Sequence, residues 1–437
     1  MNVSMVAGRV SPFRGGERGL HCLRAEVERL CDGGVPLKLA VTETTPQGWR
    51  CEVDSLQRSE GDEEWELPSI FTFRRRRAER THAFNAVILV PTGIDCAIGG
   101  HAGDATPAAR LLASVCDQLV LHPNVVNASD VNEQPENCLY VEGSLICRLL
   151  MGAVSLRRVR SNRILVVTEE REHPWVVEQV VNSTSAARAT LGADCTQVVV
   201  LRRGLDMRMG ESPSGRAIGE IGGFDDLFAM LRRERGRYDA VALSTRITPL
   251  IDAAELLQRY FRGEGPNPWG GVEATLTHTV STAFGVPSAH APTMEDVTLR
   301  MESFGQVDPR KSAEAISTGY MFCVLKGLHR APGIVADPDG AYDPSLLAAE
   351  DVSCLVVPAG SVGLPTLAAL VQGITVIAVR ENANLMRNDL RTLPFAPGQL
   401  WEVDNYLEAA GLISALKAGI HPSSLRRPLA YTPVVEF

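Results

Sequence analysis

Two histidines of the sequence stand where acid/base or metal chemistry is often found in α/β proteins. His122 directly follows the apolar run of residues 118–121, and His290 lies in a turn bounded by prolines. Imidazole exchanges protons near neutral pH and is a frequent metal ligand. We therefore predict that His122 and His290 transfer protons, or bind a divalent metal if one is present. For each ring taken alone, an ordinary hydrogen bond at a strand end is the alternative interpretation.

Further ionisable side chains complete the predicted catalytic group. Asp104 lies in a glycine-rich loop, and Glu273 and His278 lie on a predicted helix. Asp104 or Glu273 is predicted to orient the imidazoles, and His278 is a further catalytic candidate. Glu273 and His278 are five positions apart, whereas metal-binding pairs on one helical face are four apart. The sequence therefore lacks a helical zinc signature, and any metal site would combine ligands from distant segments.

Two glycine-containing loops that follow apolar runs are the predicted binding elements. Residues 93–103 contain four glycines before a Thr-Pro helix start, and residues 361–366 form a second loop of this kind. Glycine lets backbone N–H groups approach an anion, and a following helix N-terminus favours negative charge. Neither loop matches a dinucleotide or P-loop pattern, so a tight turn against a sheet is the alternative. The predicted substrate-binding residues are Thr92, Gly93, Gly99, Gly100, Asn124, Asn127, Ser361, Gly363, Arg380 and Asn382.

The order of apolar runs and helical patterns predicts an α/β fold. Buried strands alternate with helices from about residue 84, which is typical of a largely parallel sheet with helices on both faces. A short internal sequence similarity between residues 89–93 and 356–360 suggests two similar Rossmann-like halves, although chance explains this similarity about as well. The glycine-rich residues 208–223 are predicted to be a mobile loop. The predicted domains are a small N-terminal α+β module with a charged linker (1–66), a first α/β half (67–261) and a second α/β half (262–437).

Composition excludes several classes of partner. The 437 residues carry a net charge of −9, whereas a nucleic-acid-binding protein needs a clustered excess of Lys and Arg. No window has the roughly 18 to 20 apolar residues that span a bilayer, and the N-terminus lacks the hydrophobic region of a signal peptide. The ten cysteines include no CxxC pair, as expected for reduced core thiols. We therefore predict a cytoplasmic protein with a small-molecule substrate and no nucleic-acid or membrane partner, either monomeric or homo-oligomeric.

Several motifs taken together resemble one family. In chain order they are PTGIDCAIGGHAGDATPAARLLA, HPNVVNAS, LYVEG, GGVEATLTHTV, VPSAHAPT, VVPAG and NYLEAAGLISALKAGI. Their set and order, over about residues 84–420, are similar to the domain of unknown function 3326 family of bacteria and cyanobacteria. The resemblance supports the boundaries of the main body and the position of the site, and the family name implies no activity.

A second, shorter resemblance concerns residues 361–382, SVGLPTLAALVQGITVIAVREN. This unit is similar to the nucleotide-sugar loop of glycosyltransferases and epimerases with two Rossmann domains, where a Ser/Gly loop holds a diphosphate and the next strand ends near an arginine.

We predict a metabolic enzyme of hydrolase, lyase or isomerase type that acts on a small anionic or nitrogen-rich metabolite by histidine acid/base or metal-assisted chemistry. The alternatives are a nucleotide-sugar-dependent transferase and a non-catalytic ligand-binding regulatory protein.

Overall fold

The fold was analysed in a computed structural model. The structure describes residues 1–57, 67–101, 103–126, 134–170, 174–195, 197–249, 252–293, 305–317, 319–336 and 343–436. The described strands are β1 (Asn2–Val10), β2 (Val35–Thr45), β3 (Gly48–Gln57), β4 (Asn85–Ile88), β5 (Gln118–Leu121), β6 (Cys138–Tyr140), β7 (Val154–Arg157), β8 (Ile164–Glu169), β9 (Val198–Leu201), β10 (Asp206–Glu211), β11 (Ala217–Gly222), β12 (Ala240–Ser244), β13 (Ser288–His290), β14 (Gly333–Ala336), β15 (Leu346–Leu347), β16 (Val352–Pro358), β17 (Val362–Gly363), β18 (Thr375–Val379) and β19 (Leu400–Val403).

Helices connect most of these strands. The described α-helices are α1 (Gly16–Leu30), α2 (Thr106–Ala113), α3 (Pro123–Val126), α4 (Gly143–Leu150), α5 (Pro174–Leu191), α6 (Phe224–Arg233), α7 (Ala253–Phe261), α8 (Gly270–Phe284), α9 (Ser312–Ile316), α10 (Tyr320–His329), α11 (Leu364–Gln372) and α12 (Tyr406–Lys417). Short 3-10 helices span Pro309–Lys311, Ala349–Asp351, Leu390–Thr392 and Pro422–Leu425. Among the described helices, none combines the length and the apolar character needed to cross a bilayer.

The strands form four sheets, two parallel and two antiparallel. The parallel sheets have the orders β19-β18-β16-β4-β5-β6 and β13-β12-β8-β9, and the antiparallel sheets have the orders β10-β11-β1-β3-β2-β17 and β14-β7-β15. The predicted fold, a largely parallel sheet that could consist of two Rossmann-like halves, is therefore wrong. Antiparallel pairing holds nine of the nineteen described strands, because the β2–β3 hairpin starts a sheet that strands from distant segments then join.

The sheet of the N-terminal segment includes strands from distant parts of the chain. Strand β1 pairs with β11, and β2 pairs with β17, so strands beyond residue 200 complete its sheet. A three-stranded sheet would leave both edges with unpaired N–H and C=O groups, and these two strands cover them. The sequence could not show this pairing, because β17 is only two residues long. The predicted domain boundaries at residues 66 and 261 stay predictions.

The two similar sequence segments lie side by side in one sheet. β4 and β16 are parallel neighbours at its centre, with Ala86 opposite Cys354 and Ile88 opposite Val356. The chain continues from β4 to β5 and β6 on one side, and from β16 to β18 and β19 on the other. The loops that follow the two central strands therefore diverge, which opens a crevice at the carboxyl edge of the sheet.

The main core covers both faces of this parallel sheet. Along β4 the side chains alternate, because Ala86 and Ile88 belong to one buried cluster and Val87 and Leu89 to another. Alternate residues of a strand point to opposite faces, so a strand that is buried on both faces is apolar throughout. The sequence run AVILV therefore predicted this central strand correctly.

Residues 208–223 are two strands and their turn rather than a mobile loop. This segment forms the β10–β11 hairpin, so the predicted loop is wrong. A Cβ atom on Gly219 would lie 2.3 Å from Val272 Cβ, and one on Gly271 would lie 2.5 Å from the Ala217 carbonyl. β11 and α8 thus cross at a distance that only glycine allows at either position.

The crossing of β11 and α8 can be tested by adding one methyl group. We expect Gly271→Ala to lower the free energy of unfolding by about 1 to 3 kcal/mol, because backbone atoms cannot move away as a flexible side chain can. Gly411→Ala is the matched control, since Gly411 also lies in a helix and a Cβ there meets nothing within 4 Å. It should raise stability by about 0.5 to 1 kcal/mol. Equal effects in urea unfolding would contradict the tight crossing.

Candidate functional site

A cavity of about 590 Å³ lies at the carboxyl edge of the central parallel sheet. The segments after β4, β5, β6 and β16 line it, and β2 and α8 line its other walls. This volume is typical of a small-molecule site. The predicted site residues that line the cavity are Thr92, Gly100, His122, Asn124, Glu273, His278, His290, Ser361 and Gly363.

Gly93, Gly99 and Asp104, three predicted site residues of the first glycine loop, make contacts that fix the conformation of this loop. Gly99 N–H donates to Asp104 Oδ2 over 2.8 Å, and burial raises the pKa of Asp104 to about 6. Gly93 has a φ of +78°, and a Cβ there would lie 2.6 Å from the Ala217 carbonyl oxygen. These residues do not line the cavity, so their contacts favour the tight turn that the sequence left as an alternative.

Two predicted residues of the second half also have local partners. Arg380 pairs with Asp404 on the surface, where its side chain is 55% exposed. Asn382 is fully buried and donates to the Ile98 carbonyl and to the Tyr406 hydroxyl, so it connects the first glycine loop to the start of α12. Neither residue lines the cavity. Asn127 lies outside the described residues.

One polar group of the cavity is centred on Glu142, which the sequence predictions missed. Glu142 begins α4, and its carboxylate accepts hydrogen bonds from the N–H and the hydroxyl of Ser144. His278 Nδ1 lies 2.6 Å from Glu142 Oε1, although the ring N–H is not aimed well enough for a hydrogen bond. Burial acts to raise the pKa of Glu142, but His278 and Ser144 outweigh it, and the net shift is downward.

The signal that could have found Glu142 is its place in the sequence. Like His122, it comes just after a short apolar strand, here β6, with Val141 between them. The histidines were chosen by residue type, and a glutamate before a glycine reads equally well as a helix cap. In the structure it is both a cap and a partner of His278.

His290 is held through both ring nitrogens. Its Nε2 accepts from Thr245 N–H over 3.3 Å, so the proton is on Nδ1, which donates to Glu273 over 3.0 Å. The His290 side chain is 0% exposed, whereas Glu273 is 23% exposed and lines the cavity. Of this pair, the carboxylate is therefore the group that a ligand can reach.

His122 is likewise fixed as a neutral ring. Its Nε2 accepts from Val90 N–H over 3.0 Å, and Asn124 donates to the Val90 carbonyl over 2.8 Å. Burial lowers the pKa of His122 to about 4, with Lys38 and His278 adding to the shift and Glu142 opposing it. A strand-end histidine was predicted from sequence, but its Nε2 is already used by the backbone.

These contacts bear on the predicted metal pair. The Nε2 atoms of His122 and His290 both accept backbone N–H groups. Within the part of the chain that the structure describes, no three His, Cys, Asp or Glu side chains are grouped so that they could share a metal ion. We therefore derive no step through a metal.

A second series of hydrogen bonds, within the same polypeptide, reaches the cavity at His101. Tyr260 donates its hydroxyl proton to Glu314 over 2.6 Å, so the Tyr260 oxygen accepts from His101 Nδ1 at 3.0 Å. Burial lowers the pKa of His101 to about 3. The ring is therefore neutral, and its Nε2 has no hydrogen-bond partner among the described residues.

Unpaired polar atoms are concentrated around this cavity. Buried polar groups in native proteins nearly always have a hydrogen-bond partner, and an unpaired one costs about 1 to 3 kcal/mol. The residues that line the cavity and carry a buried side-chain atom with no partner within the described ranges are Lys38 (Nζ), His101 (Nε2), Tyr140 (OH), Arg148 (Nη1), His278 (Nδ1), Thr282 (Oγ1), Thr293 (Oγ1) and Ser361 (Oγ). Lys38 and Arg148 give the cavity two cationic groups that can bind an anion.

Comparison with known proteins places the chain in a family. A family model described as "Protein of unknown function (DUF3326)" matches residues 85–426. The chain is a DUF3326 protein. The family predicted from the sequence motifs is thus confirmed. The structure adds that residues 1–84, outside the DUF3326 match, supply β2 and Lys38 to the cavity wall.

A relative of this DUF3326 protein bears on its location. The relative, from Synechococcus sp. (strain ATCC 27144 / PCC 6301 / SAUG 1402/1), is described as an uncharacterized lipoprotein and is 34% identical over 346 residues. The aligned region covers 78% of this chain and 93% of the relative. The predicted cytoplasmic location is contradicted by this description and is withdrawn. No solved structure matches the chain.

Proposed function

We propose that this DUF3326 protein binds a small organic anion in the cavity and transfers a proton to or from it. The observation that carries the proposal is the group of unpaired buried polar atoms around one cavity, which includes the cationic Lys38 and Arg148. A carboxylate or phosphate oxygen would satisfy several of these donors at once. Such charge-assisted hydrogen bonds are stronger than those between neutral groups.

The proton-transfer part of the proposal rests on Glu142 and His278. A carboxylate beside Nδ1 orients an imidazole and stabilises its charged form, which leaves Nε2 to exchange a proton with a ligand. The His278 ring lines the cavity, and its Nε2 has no hydrogen-bond partner among the described residues. Of the predicted catalytic histidines, His278 is thus the one whose Nε2 does not accept a backbone N–H group.

Binding is tested by thermal unfolding with a panel of small carboxylates and phosphates. We expect at least one anion to raise the Tm of the wild type, and Arg148→Met to weaken that binding at least tenfold. Arg203→Met is the matched control, because Arg203 is 86% exposed and pairs only with Asp226 on the surface. Stabilisation by no anion, or equal binding to both variants, would contradict the proposal.

Proton transfer is tested with the anion that binds most tightly. In deuterium oxide, we expect the carbon-bound hydrogen next to its carboxylate or carbonyl to exchange, as followed by NMR. His278→Gln should keep binding but slow the exchange roughly 100-fold or more. Binding without any exchange would instead support the alternative of a non-catalytic binding protein, which needs the same cavity.

The nucleotide-sugar transferase has less support. Its diphosphate would need Arg380 at the second glycine loop, but Arg380 pairs with Asp404 away from the cavity. For location, the description of the Synechococcus relative supports a place at a membrane or in the cell envelope. Separation of the membrane and soluble fractions of the producing cells tests that part of the proposal.

A further inference from the structure

Lysine is rare in this chain, and Lys38 differs from the other lysines in its surroundings. The sequence has 43 basic residues, of which four are lysines (Lys38, Lys311, Lys326 and Lys417) and 39 are arginines. Lys311 Nζ donates to the Tyr260 carbonyl, Lys417 Nζ pairs with Asp117, and Lys326 also has a partner. Of the four lysines, only Lys38 has an Nζ that is buried without a hydrogen-bond partner in the described part of the chain.

The nearest candidate for neutralising Lys38 is already engaged elsewhere. Asp54 is the residue opposite Lys38 in the β2–β3 pairing. Its carboxylate accepts from Arg216 Nη2 over 3.4 Å and from the Thr275 hydroxyl over 3.1 Å. Lys38 therefore lines the cavity, and its amine makes no hydrogen bond with the described residues around it.

An amine at this place offers chemistry that arginine cannot. A guanidinium stays protonated in proteins, whereas a buried lysine can lose its proton and act as a nucleophile. Burial lowers the pKa of Lys38 to about 8, with Arg216 adding to the shift and Asp54 opposing it. At pH 7 about one tenth of Lys38 is then the free amine, and the rest is cationic. Nearly every other basic residue of this chain is an arginine. The lysine at position 38 thus lies where a nucleophile would contact the ligand.

We propose that Lys38 forms an imine with the carbonyl group of a small 2-oxo acid bound in the cavity. This inference rests on the proposed function, because the cavity must bind the anion, and it names the ligand class. The Nζ lone pair attacks the carbonyl carbon, a C–N bond forms, and the carbonyl oxygen takes up a proton. Loss of a proton from nitrogen and of the hydroxyl group as water then gives C=N, so no oxidant or reductant is needed.

Groups for moving these protons face the same cavity. Glu142 lines it, and its charge acts on Lys38. The carboxylate can take the proton that leaves nitrogen and return it to the departing oxygen. Arg148 supplies the positive charge that a 2-oxo acid needs for its carboxylate once Lys38 has become part of a covalent bond.

Reductive trapping tests the inference on the full-length protein. Pyruvate, glyoxylate and 2-oxoglutarate are each added with sodium cyanoborohydride, and the product is analysed by intact mass and peptide mapping. We expect one adduct, on Lys38, formed at least tenfold faster than any adduct on Lys311, Lys326 or Lys417. Lys38→Arg and Lys38→Met should abolish it, and Lys417→Arg should leave it unchanged.

The possible outcomes separate this inference from the proposed function. If 2-oxo acids raise the Tm but give no Lys38 adduct, or label all four lysines at equal rates, the imine is wrong and the anion-binding cavity stands. If neither 2-oxo acids nor any other anion stabilises the protein and no adduct forms, both are wrong. Lys38→Met removes only a buried unpaired charge, so its Tm shows that loss of the adduct is not caused by unfolding.

Discussion

Arg216→Met is expected to lower the free energy of unfolding by about 3 to 5 kcal/mol. Arg216 Nε donates to Glu52 over 2.8 Å and Nη2 to Asp54 over 3.4 Å, and all three side chains are at most 4% exposed. Removal of the guanidinium would leave two carboxylates buried with too little positive charge. Removing one partner of a buried ion pair leaves an uncompensated buried charge. This lowers the free energy of unfolding far more than replacing the whole pair by apolar residues does.

The control for this prediction is Arg208→Met. Arg208 pairs with Asp206, but both side chains are more than half exposed, so its loss should cost less than about 1 kcal/mol. Urea unfolding at pH 7 measures both variants. A triple variant that adds Glu52→Gln and Asp54→Asn to Arg216→Met should regain part of the lost stability. If Arg216→Met were as stable as Arg208→Met, the buried cluster would not exist as described.

The Arg216 cluster also shows what a sequence cannot reveal. Glu52 and Asp54 lie on β3, and Arg216 is 162 residues further along the chain, just before β11. Nothing local in either segment predicts that they meet, because β1 joins the two strands in one antiparallel sheet. The charges therefore read as solvated surface residues until the long-range pairing is known.

Local patterns gave the correct answer where one segment determines the structure. The apolar run before His122 is a buried strand, and the loop after it lies at the cavity, since the ends of parallel strands share one edge. Glycine was less informative. The glycines of β10 and β11 resemble a loop in sequence, and the reason for Gly219, contact with Val272 on α8, lies outside its own segment.

The choice among the histidines required the tertiary structure. His122, His278 and His290, the three histidines predicted as catalytic, all line the cavity. Their use as catalysts depends on which ring nitrogen is already bound, and those partners are Val90, Glu142, Thr245 and Glu273. Hydrogen bonds from backbone N–H groups cannot be predicted from residue types. The sequence could therefore identify the three candidate histidines but not which of them has a free Nε2.

His122→Gln is expected to make stability less dependent on pH. Burial lowers the pKa of His122 from 6.5 to about 4 in the folded protein. Between these values the unfolded chain binds a proton that the folded chain does not, so the stability due to the neutral ring is complete above pH 6.5 and is lost as the pH falls towards 4. The difference of 2.5 pKa units corresponds to about 3 kcal/mol.

The comparison of variant with wild type isolates this one residue. Asp104, with a raised pKa, and His101, with a lowered pKa, titrate in the same range but are present in both proteins, so their contributions cancel. The amide oxygen of the substituted glutamine can still accept the Val90 N–H, and His21→Gln, at an exposed position on α1, controls for loss of a histidine as such. From pH 7 to pH 4, urea unfolding should show that His122→Gln loses about 3 kcal/mol less than wild type, whereas His21→Gln follows wild type. Parallel curves for all three proteins would mean that His122 takes up its proton over the same pH range in the folded protein as in the unfolded chain, and its neutral, backbone-bound ring would have to be abandoned.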